Sequence, residues 1–330
     1  MDGRRSAVRW AVGLAVVGLV GGCAANATPS PAPAATAPST GGPSVAAATP
    51  IATARATLTL GQPHIYWTNT SEPASGTSIG AANLDGTGVI EDLITEIDGP
   101  GPPVVVGPYI YWPEEYASTI GRANLDGSNV DHRFITGVDN PCGLASDGTY
   151  LYWATCGTVN DGRTIGRATL DGTGVNNRFI TGANVPVAIA VDGSHIYWSN
   201  YAGGSKVSST IGRANLDGSD VDQEFITGAF GPSGVAVDGS HIYWSNAGYS
   251  FSGTTIGRAN LDGSEVDQEF ITGAEAPCGV AVQGDYLYWG NGGSDNEGTM
   301  IGRAKVDGSE VNQAFIDGAG PAPCGLAFSP

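Results

Sequence analysis

Ile211-Gly212-Arg213-Ala214-Asn215-Leu216-Asp217-Gly218 is the stretch whose reading decides the fold, because the chain repeats it. Identical copies run from Ile120 to Gly127 and from Ile256 to Gly263. Variants start at Ile79 (Ala81 for arginine), Ile165 (Thr169 for asparagine) and Ile301 (Lys305 and Val306). The leading isoleucines are separated by 41, 45, 46, 45 and 45 residues. A fixed period in this range marks an array of equivalent units, each too small to bury its own apolar surface. A second marker keeps the same step: Ile65-Tyr66-Trp67, Ile110-Tyr111-Trp112, Leu151-Tyr152-Trp153, Ile196-Tyr197-Trp198, Ile242-Tyr243-Trp244 and Leu287-Tyr288-Trp289.

One unit, residues 233–273, reads as four short strands. Ser233 to Val237 is an apolar, β-branched run closed by Asp238-Gly239, a hairpin signal because both positions tolerate positive φ. His241 to Trp244 is the second strand. A Gly/Ser-rich loop leads to the third, Ile256 to Leu261. Asp262-Gly263 turns the chain into the fourth, Val266 to Thr272. No stretch beyond residue 60 carries a sustained helical period. Four strands in a meander, apolar on both faces, must be covered by neighbouring sheets. Six such sheets set radially meet that demand, so the expected fold is an all-β, six-bladed β-propeller of four-stranded antiparallel blades.

The order Gly-Val-Ala-Val-Asp, Ile-Tyr-Trp, Ile-x-x-Ala-x-Leu-Asp-Gly resembles the YWTD repeats of low-density-lipoprotein-receptor class B propellers, over residues 55–330. The resemblance implies six blades in a disc, with the first strand of each lining the axis and Tyr-Trp on the second. The last letter of the motif departs from that pattern: Asn69, Asn200, Asn246 and Asn291 replace aspartate, and blades two and three carry Glu114 and Thr155.

Residues 1–22 read as a lipoprotein signal peptide. Arg4, Arg5 and Arg9 form its basic region and Trp10 to Val20 its apolar region, too short to span a bilayer comfortably. Val20-Gly21-Gly22-Cys23 resembles a bacterial lipobox, whose cysteine becomes the lipidated (palmitate-bearing) mature N-terminus. Residues 23–54 then form an Ala/Pro/Thr/Ser-rich tether that cannot bury enough apolar surface to fold. The expected location is the extracytoplasmic face of the cell membrane, held by lipid alone. Without residues 1–22 the chain carries 11 Lys/Arg against 31 Asp/Glu. That acidity excludes a nucleic-acid partner, since phosphate binding needs the opposite sign.

Residues repeated once per blade read as scaffold. The Tyr-Trp pairs are core, and Asp85, Asp126, Asp171, Asp217, Asp262 and Asp307 bond their own backbone in Asp-Gly turns. Arg122, Arg167, Arg213, Arg258 and Arg303 are expected to pair with carboxylates of the same or the next blade. His64, His195 and His241 share one position ahead of the second strand and lack the convergent ligands a metal needs. Asp217 to Glu224 lacks the glycine and terminal glutamate of a calcium loop at the required spacing. Neither a metal nor a cofactor is expected.

The four remaining cysteines suit an exported compartment. Cys142 starts the first strand of blade three and Cys156 lies just past its second strand, ends that meet in an antiparallel hairpin, so Cys142–Cys156 is the favoured pair. The chain stops at Pro323-Cys324-Gly325-Leu326-Ala327-Phe328, an extra first strand with no second strand after it. That segment competes with Thr57 to Leu60 for the innermost place in blade one. If the C-terminal copy takes it, Cys278 and Cys324 start neighbouring axial strands and their bond closes the ring.

The loops between strands two and three vary over a near-constant scaffold, which is where function is expected. Their unassigned aromatics, Tyr116, Tyr201, Tyr249 and Phe251, with Phe230 on a neighbouring connection, are candidate anchors. Glu114, Glu115, Asp295 and Glu297 give that face an acidic rim, suited to a basic or cation-bridged partner. No nucleophile elbow, zinc motif or phosphate loop is present. The expected function is binding of a protein or glycan by a monomer. The alternative is a propeller lyase or hydrolase acting on envelope or secreted polymers, with its site assembled from separate blades.

Overall fold

A computed structural model describes residues 58, 61–70, 78–156, 163–201, 209–248, 252–293 and 298–330. Their regular structure is entirely strand, in six separate four-stranded antiparallel sheets. Blade four is representative: an inner strand Pro186–Val191, then His195–Asn200, Thr210–Asn215 and an outer strand Asp222–Thr227, paired in that order. The period-45 repeat is therefore the blade, a β-propeller as expected.

Blade one mixes the two ends of the propeller sequence. Its inner strand is the C-terminal Pro323–Phe328, paired with His64–Asn69 through Ile65–Phe328, Tyr66–Ala327 and Trp67–Leu326. His64 N donates to Ser329 Oγ at 2.8 Å, and Ser329 N donates to His64 O at 3.0 Å. Of the competing segment, Leu58 packs on the core between blades one and two, and its neighbours Thr57, Thr59 and Leu60 lie outside the described residues. Both expected disulfides are present. Cys142–Cys156 stays within blade three (Cα–Cα 5.8 Å), and Cys278–Cys324 joins the inner strands of blades six and one (Cα–Cα 5.2 Å).

The core lies between blades, one apolar cluster per gap, because alternate side chains of a strand face opposite sides of its sheet. Between blades three and four, Tyr152, Ile165 and Ile180 meet Ile189, Ile196 and Trp198. At the closure, Tyr288, Ile301 and Ile316 meet Ile65, Trp67 and Leu326. Each tyrosine thus serves the following blade and each tryptophan the preceding one. The glycine of the repeated octapeptide has a packing reason. Gly212 pairs with Trp198 across the strands, and a β-carbon there would overlap the indole ring. Gly80, Gly121, Gly166, Gly257 and Gly302 stand in the same relation to their own tryptophans.

The arginines correct the expectation. None of Arg122, Arg167, Arg213, Arg258 and Arg303 pairs with a carboxylate among the described residues. Each guanidinium instead lies over the phenylalanine of the outer strand, from 3.8 Å (Arg122 on Phe134) to 4.0 Å (Arg258 on Phe270). A weakly hydrated planar cation stacks well on a ring, and burying it against carboxylates carries a larger desolvation cost. Blade one lacks both partners, with Ala81 in place of arginine and Leu93 in place of phenylalanine.

Candidate functional site at the junction of blades two and three

Blades four, five and six share one hydrogen-bond scheme, against which departures stand out. The indole Nε1 of Trp198, Trp244 and Trp289 donates at 3.1 Å to Gln223, Gln268 and Gln313 of the outer strand. Each glutamine amide donates in turn to a carbonyl of the preceding blade, Thr181, Thr227 and Thr272. The asparagine that replaces the motif aspartate completes the scheme. Asn200 Oδ1 accepts Asn184 N of the incoming connection at 2.9 Å, and its Nδ2 donates to Gln223 O at 3.0 Å. Asn246 and Asn291 do the same with Phe230 N and Gln268 O, and with Glu275 N and Gln313 O. The site offers one N–H and one C=O, so it takes an amide; an ionised carboxylate only accepts. In blade one the residue equivalent to Asn184 is Pro321, which has no N–H, and Asn69 Oδ1 is left without a partner among the described residues.

Blades two and three break the scheme. Glu114, expected on an acidic rim, is instead 3% exposed and does the work of the asparagine. Its carboxylate accepts Trp112 Nε1 at 2.9 Å and Asp98 N at 3.4 Å, and lies 2.7 Å from His132 Nδ1. Placing Glu114 at the end of a buried strand leaves it no route to solvent, so it is scaffold. In blade three Thr155 is too short for the asparagine's role. Asn177 takes it over, accepting Asp139 N at 3.1 Å and donating to Gly137 O at 2.8 Å. Trp153 Nε1 is then buried with no partner among the described residues.

The same junction carries an unusual surface on the side of the strand two–three loops. The connection into the short inner strand Val104–Val106 runs through Pro100-Gly101-Pro102-Pro103. Gly101 N donates to Pro113 O, and a β-carbon on Gly101 would overlap the carbonyl of Cys142. Pro102 packs on Gly325 of the C-terminal strand in the same way. Outside this seam, Glu115 N donates to Gly99 O at 3.0 Å and Tyr116 N to Asp98 O at 3.3 Å. The Tyr116 ring lies over Gly99, where a β-carbon would come within 2.8 Å of it, and remains 45% exposed. Ser118 and Asn140, both at positive φ, are joined at 3.3 Å from hydroxyl to amide oxygen.

Glu115 points inward. One of its carboxylate oxygens and the sulfurs of Cys142 and Cys156 all lie within 4.8 Å of one another. Burial pushes its carboxyl up to about 8, with no cation or donor to offset it. The junction therefore joins a half-buried carboxyl, a disulfide, an exposed tyrosine ring and two polar side chains on one small area.

The other expected binding residues are not brought to this area. Tyr201 is half-buried on blade four, its N donating to Val185 O and its carbonyl accepting Ser209 Oγ. Phe230 is half-buried, its ring against Gly248, where a β-carbon would meet it at 2.6 Å. Tyr249, Phe251, Asp295 and Glu297 lie outside the described residues, as does Cys23. The opposite face is repetitive. In each Asp-Gly turn between the third and fourth strands the aspartate Oδ1 accepts the N–H and hydroxyl two residues on, as at Asp217 with Ser219 (2.9 and 2.6 Å). Those bonds favour the ionised form and hold the carboxyl of Asp217 and its equivalents below the usual range. The equivalent valines Val130, Val175, Val221, Val266 and Val311 are exposed there. Ser118, Asn140 and Gly99 were not singled out from the sequence. The Pro100-Gly-Pro-Pro interruption beside the two non-asparagine blades was the available signal.

No family model matches the chain, and no curated protein matches it. Solved structures do. A chain of the nidogen/laminin complex aligns with TM-score 0.66 at 18% identity, over 81% of this chain and 98% of that one. A gluconolactonase from Xanthomonas campestris aligns with TM-score 0.54 at 17% identity, over 70% and 78%. A catalytically inactive virginiamycin B lyase from Staphylococcus aureus with quinupristin gives 0.49 at 18%, over 76% and 84%. At this identity the first two likenesses show the fold, which serves both a protein complex and an enzyme.

Proposed function

We propose that the chain is an extracytoplasmic binding propeller, anchored through lipid on Cys23, that recognises a protein or glycan on the face of the strand two–three loops. The signal sequence 1–22 exports it, and the tether 23–54 holds the propeller away from the membrane. What supports the reading is the place where the repeat is broken. On the turn face every blade repeats the same backbone-bonding aspartate, whereas Glu115, Tyr116, Ser118 and Asn140 gather at one sector of the loop face. Recognition needs a surface unlike its neighbours, and a rigid scaffold carrying one altered sector supplies it. The acidity of the chain suits a basic or cation-bridged ligand.

Capture from envelope extract with the full chain, followed by affinity measurement, tests this. Tyr116→Ala should weaken binding at least ~10-fold with the melting temperature nearly unchanged, as removal of an exposed anchor does. Unchanged affinity in Tyr116→Ala, with loss on altering the Asp217 and Asp262 turns, places the interface on the opposite face. The anchor has its own check: detergent partitioning should move wild type, but not Cys23→Ala, into the detergent phase.

A further inference from the structure

We propose that Cys142, Cys156 and Glu115 form a thiolate–carboxylate site for a zinc-class divalent cation in the dithiol form of the chain, closed when the two sulfurs are joined. The proposal is independent of the binding partner above. Three ligand atoms from two blades already stand within 4.8 Å of one another. Ligands of a tetrahedral zinc ion lie roughly 3.3–3.8 Å apart, given bonds of ~2.3 Å to sulfur and ~2.0 Å to oxygen. The two sulfurs are bonded to each other in this structure, so breaking that bond and rotating the three side chains brings the set to this spacing across a Cα–Cα distance of 5.8 Å. The backbone is held for this: Cys156 N donates to Asn140 O, Glu115 N to Gly99 O, and Ser118 N to Glu115 O.

The Glu115 side chain makes no hydrogen bond or ion pair among the described residues, although the loop turns it inward against the sulfurs. A carboxylate buried without a partner is costly, and a cation between it and two thiolates removes the cost. Glu115 itself is only partly covered. Two sulfurs and one oxygen suit zinc or cobalt and disfavour calcium or magnesium, which take oxygen ligands. The second disulfide is a built-in control: no such set with a carboxylate is found at Cys278–Cys324 among the described residues.

The test uses the full chain reduced with a phosphine under anaerobic conditions. The phosphine takes the oxygen of a water molecule to become its oxide, and the two sulfurs receive that water's protons. Metal binding then releases the thiol protons. Titration with Co²⁺ should give sulfur-to-cobalt charge-transfer absorption that Zn²⁺ displaces, at one ion per chain. The band should persist in Cys278→Ser/Cys324→Ser and vanish in Cys142→Ser/Cys156→Ser. Glu115→Gln should weaken Co²⁺ binding at least ~10-fold, and the oxidised chain should not bind. A band that survives loss of Cys142 and Cys156, or an affinity unchanged in Glu115→Gln, overturns the site. A measurement on the unaltered chain covers the case of variants that fail to fold. Zn²⁺ should slow alkylation of Cys142 and Cys156 at least ~10-fold and leave Cys278 and Cys324 unaffected. Equal alkylation of all four with and without Zn²⁺ also overturns it.

Discussion

Blades four to six and the junction of blades two and three meet the same demand with different residues. Each blade buries an indole N–H, and blades two to six also present a backbone N–H at the entry to the inner strand, where blade one has Pro321. In blades four to six a glutamine and an asparagine satisfy both and reach the preceding blade as well. At the junction one glutamate, Glu114, takes both donors of blade two, while in blade three Asn177 serves the backbone and abandons Trp153. The difference shows where the molecule has given up interchangeable parts. The regular blades are a stabilised frame, and the junction carries a disulfide and an inward carboxyl whose arrangement packing alone does not require.

The largest expected effect concerns the two disulfides. Cys278–Cys324 spans 46 residues and Cys142–Cys156 spans 14, so chain entropy alone predicts a loss of about 4 kcal/mol for Cys278→Ala/Cys324→Ala and about 3 for Cys142→Ala/Cys156→Ala. Denaturant unfolding of each variant measures it, and the reverse order removes ring closure as the dominant contribution. Next, Gly257→Ala in regular blade five sets a methyl group into the Trp244 indole and should cost about 3 kcal/mol, read as a lowered melting temperature.

A reciprocal exchange tests the comparison itself. Gln223→Asn should strand the Trp198 N–H and cost about 1–2 kcal/mol, while Asn177→Gln should give the buried Trp153 N–H a partner in exchange for the exposed Asp139 N–H, which water can serve, and recover about 1 kcal/mol. If both changes destabilise equally, the contrast between the two regions is not one of hydrogen-bond satisfaction.

The smallest effect is read in alkali. Burial raises the phenols of Tyr66, Tyr111, Tyr152, Tyr197, Tyr243 and Tyr288, that of Tyr66 to about 12. A raised acid stays protonated in the folded chain after its unfolded counterpart ionises near 10. Its stabilisation is therefore complete below that pH and is lost as pH climbs towards about 12. Tyr66→Phe should flatten the alkaline stability slope by up to one proton, measured by denaturation at stepped pH, and leave the acid side unchanged.

Much of this was legible in the residues because a repeat states the same constraint six times. The period placed Ile211 to Leu216 on a third strand, and Tyr197-Trp198 on the second could only be core. Asp217-Gly218 had a turn to make, and the surplus first strand at Pro323 was one of two candidates, with Thr57 to Leu60, for the innermost place in blade one. Hairpin geometry was enough to join Cys142 to Cys156. What escaped was whatever depends on a partner from another strand or blade. Arg213 is a lone charge in the sequence and acquires its ring, Phe225, only when the fourth strand folds against the third. Glu114 and Glu115 are adjacent and look alike as an acidic rim. The strand alternation and the passage of Gly99 to Pro103 bury the first against Trp112 and turn the second towards the sulfurs.

By itself the sequence determined the number of blades, the strands in each and the residues of the core, because periodicity and turn chemistry are local and repeated; which chain end supplies the innermost strand of blade one was settled by the pairing of Pro323–Phe328 with His64–Asn69. Only the tertiary structure decided which departures from the repeat are structural and which converge, because convergence is a property of distances between chain segments far apart in sequence. Glu115 lies 27 and 41 residues from the two cysteines, and nothing in that spacing brings them within 4.8 Å until blade two is packed on blade three.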